Sequence, residues 1–107
     1  MLKKSFRLKT KDIKNFFSKK YKKIFTDILI VYFQENNLNH PRFAVSPKKE
    51  IFKKAVKRNK IKRQIYNILR EILKTKKIKN YDFFIIIQKE ENFLNLKELL
   101  IKILNNV

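Results

Sequence analysis

Between residues 53 and 79 the chain sets twelve Lys or Arg against one acid, Glu71. Yet Ile61, Ile65, Ile68 and Ile72 run through the same segment at spacings of four, three and four. At 3.6 residues per turn, Ile65, Ile68 and Ile72 fall within about 40° of Ile61. That is the buried stripe of an amphipathic helix. Such a segment can be covered on one side only, so any fold must lay the isoleucines on a core and leave a long basic face outside. Asn59, Lys62, Arg63, Tyr66 and Arg70 fall roughly 100° to 200° from Ile61 and are expected to share that outer face. Arg58 falls nearer the apolar edge, where it either meets a ligand or braces the helix.

The rest of the charge is equally uneven. Residues 1–23 carry ten basic residues and one acid, Asp12, whereas residues 80–107 carry three and four. The chain has 107 residues and a net charge of +19. An absence of Gly beside abundant Lys, Asn, Ile and Phe suggests an A/T-rich genome, but that bias would also raise Asp and Glu, and they are scarce. A concentrated excess of this kind is the electrostatic footprint of a polyanion, and nucleic acid is the expected partner. A solvated basic surface and a membrane surface are the weaker readings. Apolar residues make up 44% of the chain, which excludes a disordered basic tail. One RNA-binding domain over 1–107 is expected from the length. There is no Cys, which excludes a disulfide framework and thiolate chemistry. The apolar runs "ILIVYF" (28–33) and "FFIII" (83–87) are too short to span a bilayer. With no signal-like N-terminus, the chain reads as soluble and cytoplasmic, with no membrane partner.

The elements follow a simple order. "TKDIKNFF" (10–17) predicts a short helix, with Thr10 as N-cap and Ile13, Phe16 and Phe17 on one side. Residues 24–33 predict one long strand or two short ones, and "RFAVS" (42–46) another, ending at Pro47. The basic helix spans 53–74. "DFFIIIQ" (82–88) lacks polar alternation and predicts a central strand covered on both faces. "NLKELLIKIL" (95–104) predicts a last helix, with Asn95 and Glu98 as a capping box. The fold class is α+β, a small sandwich of order αβββαβα with helices on a mainly antiparallel sheet.

The outer face of the basic helix suits RNA. Arg grips phosphate bidentately and Lys as a point charge. Asn can bond a 2′-hydroxyl or base edge, and Tyr can stack on a base. A merely soluble face would mix Glu among the lysines at i, i+4, and Glu71 is the only acid there. DNA and RNA are not separated by this pattern. Catalytic chemistry is hard to assemble: the nine acids are scattered, His40 stands alone beside Pro41, and Ser46 has no base partner.

"AVKRNKIKRQIYNILRE" (55–71) resembles the signature helix of the bacterial ribonuclease P protein family. That motif is an Arg-Asn pair followed by Lys-Arg, matched here by Arg58, Asn59, Lys62 and Arg63. The likeness extends along nearly the whole chain. "FRLKTKDIKNFF" (6–17) resembles the family's opening, "LIVYF" (29–33) its strand with a central Tyr, and "RFAVS" with Lys48 and Lys49 its Arg-led strand and Val-Ser-Lys-Lys turn. "YDFFIII" and the Leu-rich last helix follow in the family's order. Three departures stand out: no Gly in "PKKEIFKK" (47–54), Tyr66 and Asn67 where Arg-Glu is usual, and Ile13 where an aromatic usually follows the Asp.

The resemblance implies the small subunit of a ribonucleoprotein whose RNA subunit uses Mg²⁺ to remove the 5′ leader from precursor tRNA. It implies one protein per RNA, catalysis by the RNA subunit, and a left-handed βαβ crossover, against the usual hand. It assigns the catalytic RNA to the basic helix through Arg58, Asn59, Lys62 and Arg63, with Lys48 and Lys49 of the matching turn, and the leader to a cleft holding Ile13, Phe17 and Tyr32. The outer-face reading adds Tyr66 and Arg70 to the RNA-binding set. Phe17 is open to a second reading, as core. A ribosomal or other structural RNA-binding protein, and a nuclease acting alone, are the alternatives.

Overall fold

A computed structural model describes residues 2–107. The order is a 3-10 turn (Lys4–Phe6), α1 (Thr10–Phe16), β1 (Lys22–Phe25), β2 (Leu29–Glu35), β3 (Arg42–Pro47), α2 (Ala55–Thr75), β4 (Tyr81–Ile87) and α3 (Phe93–Asn105). The β-rich stretch at 24–33 resolves into two strands. Thr26 breaks it: its hydroxyl accepts from the Leu29 amide and donates to the Leu29 carbonyl, closing a tight turn.

The four strands form one sheet in the order β1-β2-β4-β3. β2 pairs antiparallel with both β1 and β4, while β3 pairs parallel with β4. β3–α2–β4 is therefore the parallel crossover unit of the fold, and α2 must lie on a face of the sheet. Strand alternation decides which residues it meets. Leu29, Val31, Phe33, Phe43, Val45, Phe83, Ile85 and Ile87 all point to one side and join Ile61, Ile65, Ile68, Leu69, Ile72, Leu96 and Leu100 in a single apolar cluster. Ile65 and Ile68 are fully buried there, so truncating either to Ala would cost about 2–5 kcal/mol.

The other side of the sheet is covered only in part. β4 is central, as its composition predicts, but Phe84 and Ile86 on its second face remain half-exposed. α1 alone packs there, through Phe16, whose ring lies 6.3 Å from that of Phe84. This partial cover is what leaves room for a cleft.

Helix starts differ from expectation in an instructive way. α1 is capped by Asp12 reaching back to the Lys9 amide at 3.0 Å, with Thr10 already inside the helix. α3 begins at Phe93, two residues ahead of the expected 95–104 stretch, because Asn92 rather than Asn95 accepts the capping bond, from the Asn95 amide at 2.9 Å. The Gly-less connection to α2 closes without strain. Lys48 accepts from the amides of Ile51 and Phe52, and Phe52 is buried in the core. No described residue has a positive φ, so nothing in this backbone requires glycine. The N-terminal segment runs beside β3, Leu8 donating to the Phe43 carbonyl at 2.8 Å, and shields that edge of the sheet.

Candidate nucleic-acid interface

α2 keeps its isoleucine stripe on the core and turns Asn59, Lys62, Arg63 and Arg70 to solvent. Glu71 does not dilute this face; it points to α3 and pairs with Lys97 at 3.0 Å. Among the described residues none of Lys62, Arg63 and Arg70 enters an ion pair. Three cationic heads and an amide are thus presented together with no internal competitor.

Two members of the expected set do something else. Arg58 is half-buried and donates through Nη1 to the carbonyls of Phe52 and Lys53, both at 2.8 Å. It braces the connection ahead of α2, one of its two expected roles. Tyr66 corrects the outer-face reading. It is only 9% exposed and belongs to the core cluster, with the Arg7 guanidinium 5.9 Å from its ring centroid. Burial pushes its phenol pKa up, against an opposing pull from the Val45 backbone and from Arg7. The physical reason is the N-terminal segment beside β3, which covers a flank of α2 that helix periodicity alone leaves open. Tyr66 therefore presents no ring for a base to stack on.

Lys48 and Lys49 project from the turn after β3 and share a hollow with Arg58 and Lys62. Ser46 and Ile86, from the half-covered face of the sheet, line it too, with Pro47 and one acid, Glu50. The basic face of α2 is thus continuous, round the end of β3, with the second side of the sheet.

On that second side lies an aromatic cluster. Phe16 is the core member at 2% exposure, while its neighbour Phe17 is 43% exposed. The Phe17 ring lies 5.2 Å from Tyr32, 5.1 Å from Tyr21 and 5.8 Å from Phe84. Ile13, one turn earlier in α1, is half-exposed. The structure therefore brings Phe17 and Tyr32 together and adds two rings that sequence reading missed. Tyr21 stands in an irregular segment with no periodicity to give it a face, and Phe84 is hidden in an unbroken apolar run. Lys23, opposite Tyr32, shares the face of this cluster, and Lys19 and Lys20 beside Tyr21 are exposed.

The family model described as Ribonuclease P matches residues 2–107. The chain belongs to this family. The "Ribonuclease P protein component" of Ureaplasma parvum is 35% identical over 96 residues, covering 81% of each chain. That of Ureaplasma urealyticum is 36% identical over 72 residues, covering 65% of this chain and 58% of the relative. The solved RNase P protein of Thermotoga maritima superposes with a TM-score of 0.81 at 25% identity, covering 94% of this chain and 96% of that one. The Staphylococcus aureus RNase P protein gives 0.78 at 27% identity, covering 96% and 95%. The fold class and the family resemblance read from the sequence agree with these likenesses.

As a ribonuclease P protein, the chain offers little for a metal. Asp12 and Asp82 are both held by Arg42, and Glu71 and Glu90 by lysines. Among the described residues no three His, Asp or Glu side chains converge on one point. His40 is structural: its ring packs edge-on against Phe6 at 5.0 Å, and Nδ1 lies 3.0 Å from the Pro41 carbonyl. No described helix is long and apolar enough to cross a membrane.

Proposed function

We propose that this tRNA-processing subunit of ribonuclease P acts as a two-sided RNA clamp. The outer face of α2, with Lys48 and Lys49, holds the catalytic RNA, and the aromatic cleft holds the single-stranded 5′ leader of precursor tRNA. The observation that carries the reading is the separation of the two surfaces. The sheet stands between the α2 stripe, on its core side, and the Phe17–Tyr32–Phe84 cluster on its other side. One surface is cationic and suits structured phosphate; the other is ringed and suits unpaired bases of any sequence.

Hydrolysis itself is assigned to the RNA subunit, whose phosphates can ligate Mg²⁺; among the described residues Asp12, Glu71, Asp82 and Glu90 are held by Arg or Lys, and no three His, Asp or Glu side chains converge to fit a resident ion. What the protein supplies is charge and position. Lys62, Arg63 and Arg70 neutralise repulsion between two RNAs, and Phe17 and Tyr32 hold the leader in register. The reading includes one RNA-binding domain over 1–107, one protein per RNA, and action in the cytoplasm. The test is reconstitution. Protein, RNase P RNA and precursor tRNA are combined singly and together at low Mg²⁺, and 5′-leader release is followed. Release should accelerate only when protein and RNase P RNA are both present. Cleavage by the protein alone would move catalysis to the protein, and no acceleration would favour a purely structural RNA-binding role.

A further inference from the structure

Phe25 is 61% exposed, more than any other aromatic residue described. It stands near the end of β1, the unpaired edge of the sheet. The register fixes its orientation. Lys23 lies opposite Tyr32 and Phe25 opposite Ile30, so Lys23, Phe25, Ile30 and Tyr32 all share the half-covered face. The Lys23 ammonium sits between two rings, 5.7 Å from the Tyr32 centroid and 5.8 Å from that of Phe25. The aromatic cluster therefore does not stop at Tyr32. It continues as ring, cation, ring along β1, with Phe25 roughly 7 Å further on, the rise of two strand residues.

An exposed Phe beside a Lys on an edge strand has a bland explanation, since edge lysines deter sheet-to-sheet pairing. That explanation accounts for Lys22 and Lys23 but not for a bare ring on the same face. Nor does Phe25 belong to the core cluster or to the apolar residues packed against it. The alternation of ring and cation is what a single strand of RNA needs, with bases stacking on the rings and the intervening phosphate meeting the ammonium.

We propose that Phe25 and Lys23 form a separate stacking subsite for a leader nucleotide adjacent to the one held by Tyr32. The inference rests on the leader reading of the aromatic cleft and extends it along β1, with single-stranded RNA as the occupant. Lys23 on this face, with exposed Lys19 and Lys20 just ahead of β1, is in keeping with a polyanion and against an apolar partner; Lys22, opposite Phe33, belongs to the other side.

The test uses holoenzyme assembled from RNase P RNA and wild-type, Phe25→Ala, Phe25→Trp or Tyr32→Ala protein. Affinity is measured for precursor tRNAs whose leaders lengthen one nucleotide at a time, starting from leaderless tRNA. Wild-type affinity should rise in steps as the leader reaches each ring. Phe25→Ala should lose one step, about fivefold or more, the low end for one lost stack. That step should fall at a different leader length from the step lost by Tyr32→Ala. Leaderless tRNA and RNase P RNA should bind Phe25→Ala normally, and Phe25→Trp should keep the step. If Phe25→Ala follows wild type at every length while Tyr32→Ala loses its step, the subsite does not exist and the leader cleft stands. If both follow wild type, the leader reading fails and takes the subsite with it. Loss of the same step by both variants, or an equal loss on leaderless tRNA, would overturn a separate subsite.

Discussion

Arg42 on β3 holds Asp82 on β4 with two parallel hydrogen bonds, Nε to Oδ1 at 3.0 Å and Nη2 to Oδ2 at 2.8 Å. Its remaining arm reaches Asp12 in the first turn of α1 at 3.3 Å. Asn36 donates to the same Asp82 carboxylate at 2.9 Å. Asp82 is the one charged side chain buried among the described residues, at 7% exposure. Bonding to Asp82, chiefly, keeps the Arg42 guanidinium charged and raises its pKa further. The triad joins two strands to the helix that carries Phe17, so the cleft wall is tied to the cleft floor.

Removing Asp82 should therefore cost far more than removing Asp12. Asp82→Ala leaves a partly buried guanidinium without its main acceptor, a loss of about 1.5–3 kcal/mol. Asp12→Ala breaks a more exposed pair and should cost less than about 1 kcal/mol, together with whatever the helix cap contributes. Thermal melts of the two variants check the ranking; equal melting would mean that the bidentate pair adds nothing to stability.

The Arg-Asn…Lys-Arg motif should divide by role. Arg63→Ala should weaken binding to RNase P RNA and lower the salt slope by roughly one contact, with the melting temperature unchanged. Arg58→Ala should instead lower the melting temperature, because the Phe52 and Lys53 carbonyls lose their donor. Titrations at several salt concentrations, beside melts, separate the two. An Arg63→Ala protein with wild-type affinity and slope would remove this face of α2 from the interface.

Tyr66 supplies a pH signature. Its phenol is raised above the free value near 10 by burial. A raised acid favours the folded state while it stays protonated. Its contribution is complete below about pH 10 and is lost as pH rises through the folded value. Denaturant unfolding across that range should show Tyr66→Phe losing stability less steeply than wild type. The same variant should bind RNase P RNA normally, since the ring is inside; weakened binding with an intact fold would return Tyr66 to the surface.

Much of this was legible because α2 is long and its stripe is all isoleucine, so a period of 3.6 stands out against lysine. The strands were legible from β-branched and aromatic composition. What escaped depends on contacts far apart in sequence. Tyr66 lies on the outward side of α2 by angle, and it is enclosed by groups far off in sequence, Arg7 from the N-terminal segment and the Val45 backbone of β3. Phe84 could not be given a face inside "FFIII", where both phases of the strand are apolar. Asn92 and Asn95 both suit an N-cap, and local sequence does not rank them.

Anions should stabilise the free protein. A net charge of +19 on one small chain repels itself in the compact state. Ligands that bind the native state preferentially raise its stability by mass action. The hollow shared by Lys48, Lys49, Arg58 and Lys62, with Glu50 the one acid in its lining, is one place where cations converge to receive them. Sulfate should raise the melting temperature more than chloride at equal ionic strength, and Lys48→Ala with Lys49→Ala should shrink that difference. Identical melting of the wild type in both salts would mean that screening alone is at work.

Phe16, the last residue of α1, and Phe17, its C-cap, are adjacent rings with opposite expected roles. Phe16 is buried and accepts its place in the core, against Phe84 and Tyr21, with Gln34 donating to its carbonyl at 2.6 Å. Phe17 leaves much of its ring open beside Tyr32. Phe16→Ala should therefore destabilise the protein by about 3–5 kcal/mol, the cost of emptying a packed aromatic site. It should harm every RNA interaction through loss of fold. Phe17→Ala should cost little stability and leave RNase P RNA affinity near wild type. In the holoenzyme it should weaken binding of leader-bearing precursor tRNA by on the order of 1–3 kcal/mol, with leaderless tRNA bound as before. Parallel losses for both tRNAs in the Phe17→Ala holoenzyme, with an unchanged melting temperature, would show that the ring serves something other than the leader.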